Sequence, residues 1–191
     1  MGCVSQTFPV SRKSSMGYNV DEVEKFLSDA RAAYEAQGDP AHIDQDAELD
    51  SRSIRRASFS LQKGGYSTAH VDAALERLED AFSARERARA MHEIGDEKWY
   101  TLSRDRAREI VARLERSRGH RFRRVGILTG GYDRGDVDDF CDVIISYFRE
   151  GAVVTIEDIR GAVFRPKLGG YNEAQVDMVL DAVVDVMLSV R

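Results

Sequence analysis

Apolar residues recur at helical spacing in four main stretches of the chain. Their i, i+3, i+4, i+7 pattern predicts four amphipathic helices that each need a packing partner. A fifth helix is predicted near residues 103–118, with its apolar face along Ala107, Ile110, Val111 and Leu114. The pattern therefore predicts an all-α fold. The four main stripes are Val23, Phe26, Leu27, Ala30 and Tyr34; Val71, Ala74, Leu75, Leu78 and Phe82; Val137, Phe140, Cys141, Ile144, Ile145 and Phe148; and Val176, Val179, Leu180, Val183, Val184, Met187 and Leu188.

A Gly-Tyr dipeptide precedes each of the four main stripes. With 15 glycines and 7 tyrosines in 191 residues, a random order would give fewer than one such pair. Each Tyr is followed by Asn, Ser or Asp, and by a Val five residues after it, which precedes an acid. Such recurrence predicts four copies of one structural unit. The shared positions are Gly17, Tyr18 and Val23; Gly65, Tyr66 and Val71; Gly131, Tyr132 and Val137; and Gly170, Tyr171 and Val176.

The residues after each Gly-Tyr predict how the helices begin. A short polar side chain at the N-cap satisfies an amide of the first turn. Glu22 and Gln175, three positions after their caps, predict capping boxes, and the Tyr and Val are spaced to form a hydrophobic staple. The glycine would permit a sharp turn with positive φ. The predicted N-caps are Asn19, Ser67, Asp133 and Asn172.

The units are of two kinds, which predicts a duplicated odd-even pair. The odd units carry Phe8 and Phe122 nine residues before their glycine, and the even units carry Phe59 and Phe164 six residues before it, after an Ile-Arg. The expected domains are residues 1–95 and 96–191, and the second includes the extra helix. Because each stripe must be buried, we expect two intrachain helical pairs, first with second and third with fourth.

The even units resemble the N-terminal domain of the DivIVA family, bacterial scaffolds of division septa and cell poles. The fourth unit carries the resemblance through Asp158-Ile159, Phe164, Gly170-Tyr171 and Val176-Asp177, and the second is nearly as similar. The odd units match only from the Gly-Tyr onward, apart from their Phe. The resemblance implies a non-enzymatic scaffold or adaptor that acts through protein partners in cell division, polar growth or envelope organisation. Homo-oligomerisation stays open.

The resemblance also implies a membrane-touching tip just before the Gly-Tyr, where the family has an aromatic residue followed by Arg. The two residues before each Gly-Tyr include only two large apolar side chains here, which predicts weak binding to lipid vesicles. Basic residues lie nearby and could contact a membrane or a partner. The candidate contact residues are Met16, Leu168, Arg12, Lys13, Arg165 and Lys167.

Charge is unevenly distributed, although the net charge is only −5. Residues 104–124 hold nine Arg against three acids, whereas residues 125–191 hold twelve acids against six basic residues. The two regions could face each other. Alternatively, an Arg-rich helix over 104–124 could bind anionic lipid or nucleic acid, because clustered Arg attracts phosphate-rich surfaces.

Residues that could carry catalysis or bind metal are scattered. His42, His70, His92 and His120 have no ligand spacing, and the two cysteines, Cys3 and Cys141, cannot make a disulfide framework. Cys141 lies on an apolar stripe and is expected to act as a small hydrophobe. We therefore expect no catalytic residue, cofactor or metal. Without an apolar run of about 20 residues or a secretory leader, a cytoplasmic location is expected, with peripheral attachment at the inner face of the membrane left open.

Overall fold

The computed structural model describes residues 7–12, 14–36 and 49–190. In these ranges the chain is mostly helical, as predicted, but two small antiparallel sheets correct the all-α expectation. The helices are α1 (Val20–Ala36), α2 (Ser51–Arg55), α3 (Thr68–Ile94), α4 (Asp96–Leu114), α5 (Arg134–Glu150), α6 (Ile156–Arg160) and α7 (Glu173–Ser189). The strands are β1 (Met16–Tyr18), β2 (Leu61–Lys63), β3 (Gly130–Tyr132) and β4 (Pro166–Leu168).

The chain divides into two compact units, Met1–Arg87 and Ala88–Arg191, called here the N-terminal and the C-terminal unit. The division falls within α3. That helix ends at Ile94, where Gly95 adopts a φ of 84° and serves as the N-cap of α4. A positive φ suits glycine, which has no Cβ to clash with the backbone.

In the N-terminal unit, β1 pairs with β2 so that Gly17 lies opposite Gln62. Tyr66 extends this sheet by bridges to Val10 and Tyr18. The sheet covers a small apolar cluster at the starts of α1 and α3. Its buried members are Val23, Tyr66 and Val71, and Phe8, Tyr18, Val20, Leu27, Phe59 and Leu75 pack against them.

In the C-terminal unit, β3 pairs with β4 so that Gly131 lies opposite Lys167. The core is larger, because α4 packs against both α5 and α7, and α6 packs against α7. The third and fourth main helices, α5 and α7, both contribute to this one core, through Phe140 and Ile144 of α5 and Leu180 and Val183 of α7.

Each helix after a Gly-Tyr begins directly after its predicted N-cap, which confirms those starts. The side-chain oxygen of Asn19 accepts from the amide of Glu22 at 3.0 Å, and that of Asn172 accepts from the amide of Gln175 at 3.0 Å. Asp133 caps α5 in the same way. These starts could be predicted because capping depends only on local sequence.

The predicted capping boxes at Glu22 and Gln175 are wrong. The Glu22 carboxylate accepts from the amide of Ser60 at 2.8 Å, and Gln175 Oε1 accepts from the amide of Arg123 at 2.6 Å. The N-cap amides need no such side chain, since each already donates to a backbone carbonyl, that of Ser60 or Arg123. These two residues lie in the stretch of chain that leads into the other Gly-Tyr, called here its arm. The third helical residue therefore links two arms rather than closing its own cap.

The extra helix exists, but it begins and ends earlier than the predicted 103–118. Asp96 and Glu97 start α4 well upstream, where acids in the first turn interact favourably with the helix dipole. The helix ends at Leu114, and the chain then turns so that Phe122 is buried. The predicted apolar face is correct, because Ile110, Val111 and Leu114 are buried and Ala107 packs against the same core.

Candidate functional site

The four Gly-Tyr glycines are required by close backbone approach, not by a positive φ. A Cβ on any of them would overlap the carbonyl oxygen of the Tyr in the opposite segment. Within the N-terminal unit and within the C-terminal unit, the two Gly-Tyr tyrosines exchange backbone hydrogen bonds. Tyr18 donates to Tyr66 at 2.9 Å and accepts from it at 2.9 Å. In the even segments the positive φ falls one residue earlier, at Gly64 and Gly169. The positive φ expected at the Gly-Tyr glycine itself is therefore wrong.

Each Tyr lies near the acid that follows the Val of the opposite helix, and the two even tyrosines donate to it. Tyr66 donates to Glu24 at 2.5 Å, and Tyr171 donates to Asp138 at 3.0 Å. In the other direction, burial and then the nearby Asp72 raise the pKa of Tyr18, and burial and then the nearby Asp177 raise that of Tyr132. Burial, followed by the hydrogen bond to Asp138, raises the pKa of Tyr171 to about 12. This exchange accounts for the invariant acid, which the sequence interpretation left without a role.

The arm phenylalanines are exchanged in the same way. Phe8 packs edge-on against Tyr66 with ring centroids 5.4 Å apart, and Phe59 packs against Tyr18 at 5.4 Å. In the C-terminal unit, Phe122 packs against Tyr171, and Phe164 against Tyr132. The shared motif positions therefore hold two segments together, and they form a structural junction rather than a reactive site.

An exposed apolar tip lies at the end of the C-terminal sheet. It consists of Ile127, Leu128 and Leu168, whose exposed fractions are 84%, 86% and 66%. Ile127 and Leu128 occupy a turn closed by the Thr129 amide, which donates to the Gly126 carbonyl at 2.8 Å. The turn lies beside the β4 end, because the Gly169 amide donates to the Thr129 carbonyl at 3.0 Å. This surface is called the apolar tip.

Sequence reasoning found Leu168 but missed the other two members of the apolar tip. The predicted tip comprised only the two residues before each Gly-Tyr, whereas Ile127-Leu128 lies just upstream of Thr129-Gly130. Two adjacent aliphatic residues between Gly126 and a Thr-Gly-Gly sequence could have revealed it. The N-terminal counterpart, Met16, is about half exposed and lies opposite Lys63.

The basic residues near Met16 and Leu168 differ in whether a carboxylate is seen to bind them. Arg165 forks onto the carboxylate of Asp136 with bonds of 2.9 and 2.6 Å, and Lys167 contacts Asp133 at 2.6 Å. The Arg165 bonds lower the pKa of Asp136 to about 2. Both cations thus have carboxylate partners, on α5 and at its N-cap. Arg12 is exposed, and Lys13 lies outside the described residues.

Most of the Arg-rich stretch also has partners, and it is helical only as far as Leu114. Arg121 is buried and donates to the carbonyl of Asp138 at 2.6 Å and to the Asp142 carboxylate at 2.5 Å. Arg113 lies over the Phe122 ring. A continuous basic helix over 104–124 is therefore not formed. Other pairs in the stretch are Arg106–Asp185, Arg108–Asp105 and Arg118 with Asp139 and Asp142.

Cys141 is buried as expected, and burial raises the pKa of its thiol to about 12. A thiol with so high a pKa is not an effective nucleophile, because the thiolate is the reactive form. Within residues 7–12, 14–36 and 49–190, no group of three or more His, Cys, Asp or Glu side chains is arranged to hold a metal ion. None of the helices in these ranges is long and apolar enough to cross a bilayer.

No protein family, curated protein or solved structure matches the chain.

Proposed function

We propose that the chain is a non-enzymatic scaffold or adaptor, similar to DivIVA-domain proteins, that organises protein partners in bacterial cell division, polar growth or the cell envelope. The proposal includes four related units packed as two intrachain pairs. It is supported by the reciprocal contacts between Gly-Tyr segments, in which Tyr, acid and Phe side chains are exchanged. Two chains of a symmetric domain would exchange contacts in this way.

The most specific part of the proposal, membrane attachment, is supported by the apolar tip. Adjacent exposed aliphatic side chains rimmed by polar residues are typical of interaction surfaces. Burying one such side chain is worth about 1.5–3 kcal/mol. We assign the apolar tip to the inner face of the membrane, so the scaffold is cytoplasmic and peripherally attached. The alternative, binding of anionic lipid or nucleic acid along residues 104–124, receives less support because most of those Arg side chains have partners within the chain.

Vesicle sedimentation tests this proposal. The sequence alone predicted weak vesicle binding, but the exposed Ile127 and Leu128 lead us to expect that the full chain sediments with vesicles that contain anionic lipid. Ile127→Asp or Leu128→Asp is expected to weaken binding about tenfold or more, given the apolar burial lost. Val153→Asp is the matched control, since Val153 is 94% exposed but lies outside the apolar tip. Equal loss in all three variants, or no sedimentation of the unmodified chain, would contradict membrane attachment.

A pull-down from the native cells separates the scaffold role from membrane attachment. Protein partners should be recovered with Leu128→Asp as well as with the unmodified chain, because the apolar tip is assigned to lipid. Partners lost only in the tip variant would show that the apolar tip binds protein instead. If no protein is retained by either chain, the scaffold proposal fails even if vesicle binding is observed.

A further inference from the structure

Two guanidinium groups border one surface turn of the C-terminal unit. The turn spans Ser117–His120, with the His120 amide donating to the Ser117 carbonyl at 2.9 Å and Gly119 at a φ of 80°. A Cβ placed on Gly119 would lie 3.6 Å from a terminal nitrogen of Arg134 and 3.9 Å from one of Arg124. The absence of a side chain on Gly119 therefore leaves this space open between two cations.

The Arg134 guanidinium is incompletely satisfied. Its side chain is half-buried, and its Nε atom is buried with no hydrogen-bond partner among the described residues. Arg124 donates to the Gly119 carbonyl only over a long 3.4 Å contact. Buried polar groups are nearly always hydrogen-bonded, so a guanidinium in this state requires an explanation.

The nearby acids are engaged with donors other than these two guanidinium groups, and one of them, Asp138, accepts from the Gly119 amide of the turn itself at 2.6 Å. Those of α5 and its N-cap bind other donors of the unit, and adjacent like charges repel unless an anion lies between them. The engaged pairs are Asp133 with Lys167, Asp136 with Arg165, Asp138 with Tyr171 and the Gly119 amide, Asp139 with Arg118, and Asp142 with Arg118 and Arg121.

We propose that Arg124 and Arg134, together with the open turn at Gly119, form a binding site for a phosphate group. Two guanidinium forks match the oxygens of a phosphate, and charge-assisted hydrogen bonds of this kind are the strong ones. The first-turn amides of α5 are not part of the site, since Asp133 accepts from Gly135 and Asp136. The site is separate from the apolar tip and does not depend on membrane attachment.

The phosphate could be free or the end group of a phosphorylated small molecule. An NMR titration of the ¹⁵N-labelled full chain with inorganic phosphate, at constant ionic strength with chloride, provides the primary test. The amides of Gly119 and Arg134 are expected to shift saturably. Arg134→Gln and Arg124→Gln are each expected to weaken binding about tenfold or more, as for a lost charge-assisted hydrogen bond. Arg104→Gln is the control, because Arg104 is exposed on α4 away from this turn.

Three further comparisons make the test decisive. Arg134→Lys keeps the charge but removes the fork, so an intermediate affinity with an unchanged melting curve supports the site. Glycerol 3-phosphate distinguishes the sources, since tighter binding than inorganic phosphate favours an end group, and equal or weaker binding favours the free ion. Linear, non-saturating shifts, or equal loss in Arg134→Gln and Arg104→Gln, would overturn the proposal. Binding seen only with vesicles and abolished by Ile127→Asp would also overturn it.

Discussion

The N-terminal and C-terminal units make the same contacts at their Gly-Tyr segments around different interiors. In the N-terminal unit, the buried Glu79 carboxylate binds Arg55 at 2.8 Å, and Ser51 donates twice to Glu86 at 2.8 Å. Counting from the Gly-Tyr, the C-terminal unit has Val184 in place of Glu79 and Ile156 in place of Ser51, and both are buried. One interior is partly polar where the other is apolar.

This difference separates what the motif determines from what the core determines. The crossed Tyr, acid and Phe contacts depend on positions that both units share, so they persist whatever fills the space beneath. The buried ion pair is not required for this arrangement. A buried ion pair is weak evidence for stability, because desolvation of two charges offsets much of their attraction. The expected experimental consequence is that breaking the pair is costly, whereas replacing it is not.

The largest effect on the free energy of unfolding is expected for Glu79→Val, which gives the N-terminal unit the residue type that the C-terminal unit has at the equivalent position, Val184. Removing one member of a buried ion pair typically costs about 3–5 kcal/mol, because Arg55 loses this carboxylate while it stays buried. The side chains of Arg55 and Glu79 are only 9% and 3% exposed. Urea unfolding followed by circular dichroism measures the change.

The double variant Arg55→Leu/Glu79→Val is the matched control. Replacing both members with apolar residues should restore the free energy of unfolding to within about 1–2 kcal/mol of the unmodified chain. If the double variant is as unstable as Glu79→Val, the ion pair is needed for the N-terminal interior, and the comparison between the units fails on this point.

The next largest effect is expected for Gly131→Ala in the C-terminal unit. The added Cβ would overlap the carbonyl oxygen of Tyr171, so the two Gly-Tyr segments must separate, at a cost of about 3 kcal/mol. Gly130→Ala is an adjacent control, because a Cβ on Gly130 meets nothing within 4 Å. Thermal unfolding of the two variants tests the close approach. Similar melting temperatures would mean that the two Gly-Tyr segments do not approach as closely as described.

The glycines illustrate how far the sequence could predict the structure. Helix starts at residues such as Asn172 were predictable because capping is local. The sequence predicted that glycine is needed at position 131, but it attributed this need to a positive φ. The true cause, the approaching Tyr171 carbonyl, was hidden because it belongs to a segment about forty residues away. The same limit concealed the acid contacts of Asp138. The apolar tip could have been found from Ile127-Leu128, but its exposure follows from pairing of the arms.

A smaller effect is expected for Tyr171→Phe, which removes the hydroxyl and leaves the ring. The buried hydroxyl donates to Asp138 at 3.0 Å and accepts from the Arg121 amide at 3.3 Å. Losing these bonds should cost about 1–3 kcal/mol, since the partners remain buried. Tyr132→Phe should cost less, because Tyr132 is only partly buried. Denaturant midpoints measure both, and an equal cost would indicate that burial of the hydroxyl is unimportant.

The smallest effect, and the one that depends on pH, is expected for Asp177→Asn. Burial, more than its neighbours Glu173 and Asp181, raises the pKa of Asp177 above its ordinary value of 3.8, although the Tyr132 hydroxyl lowers it in part. The folded state thus binds this proton more readily than the unfolded chain, and stability falls as pH rises from 3.8 through the raised value. Asparagine can still accept from Tyr132 but carries no charge, so the variant should lack this fall and be more stable at pH 7 by about 0.5 kcal/mol or less, given the partial exposure of the side chain.

Urea unfolding of both chains at pH 3.5 and pH 7 tests the sign. A variant that is less stable at pH 7 by the same amount as at pH 3.5 would mean that the carboxylate stabilises the junction through its bond to Tyr132 more than burial disfavours its charge.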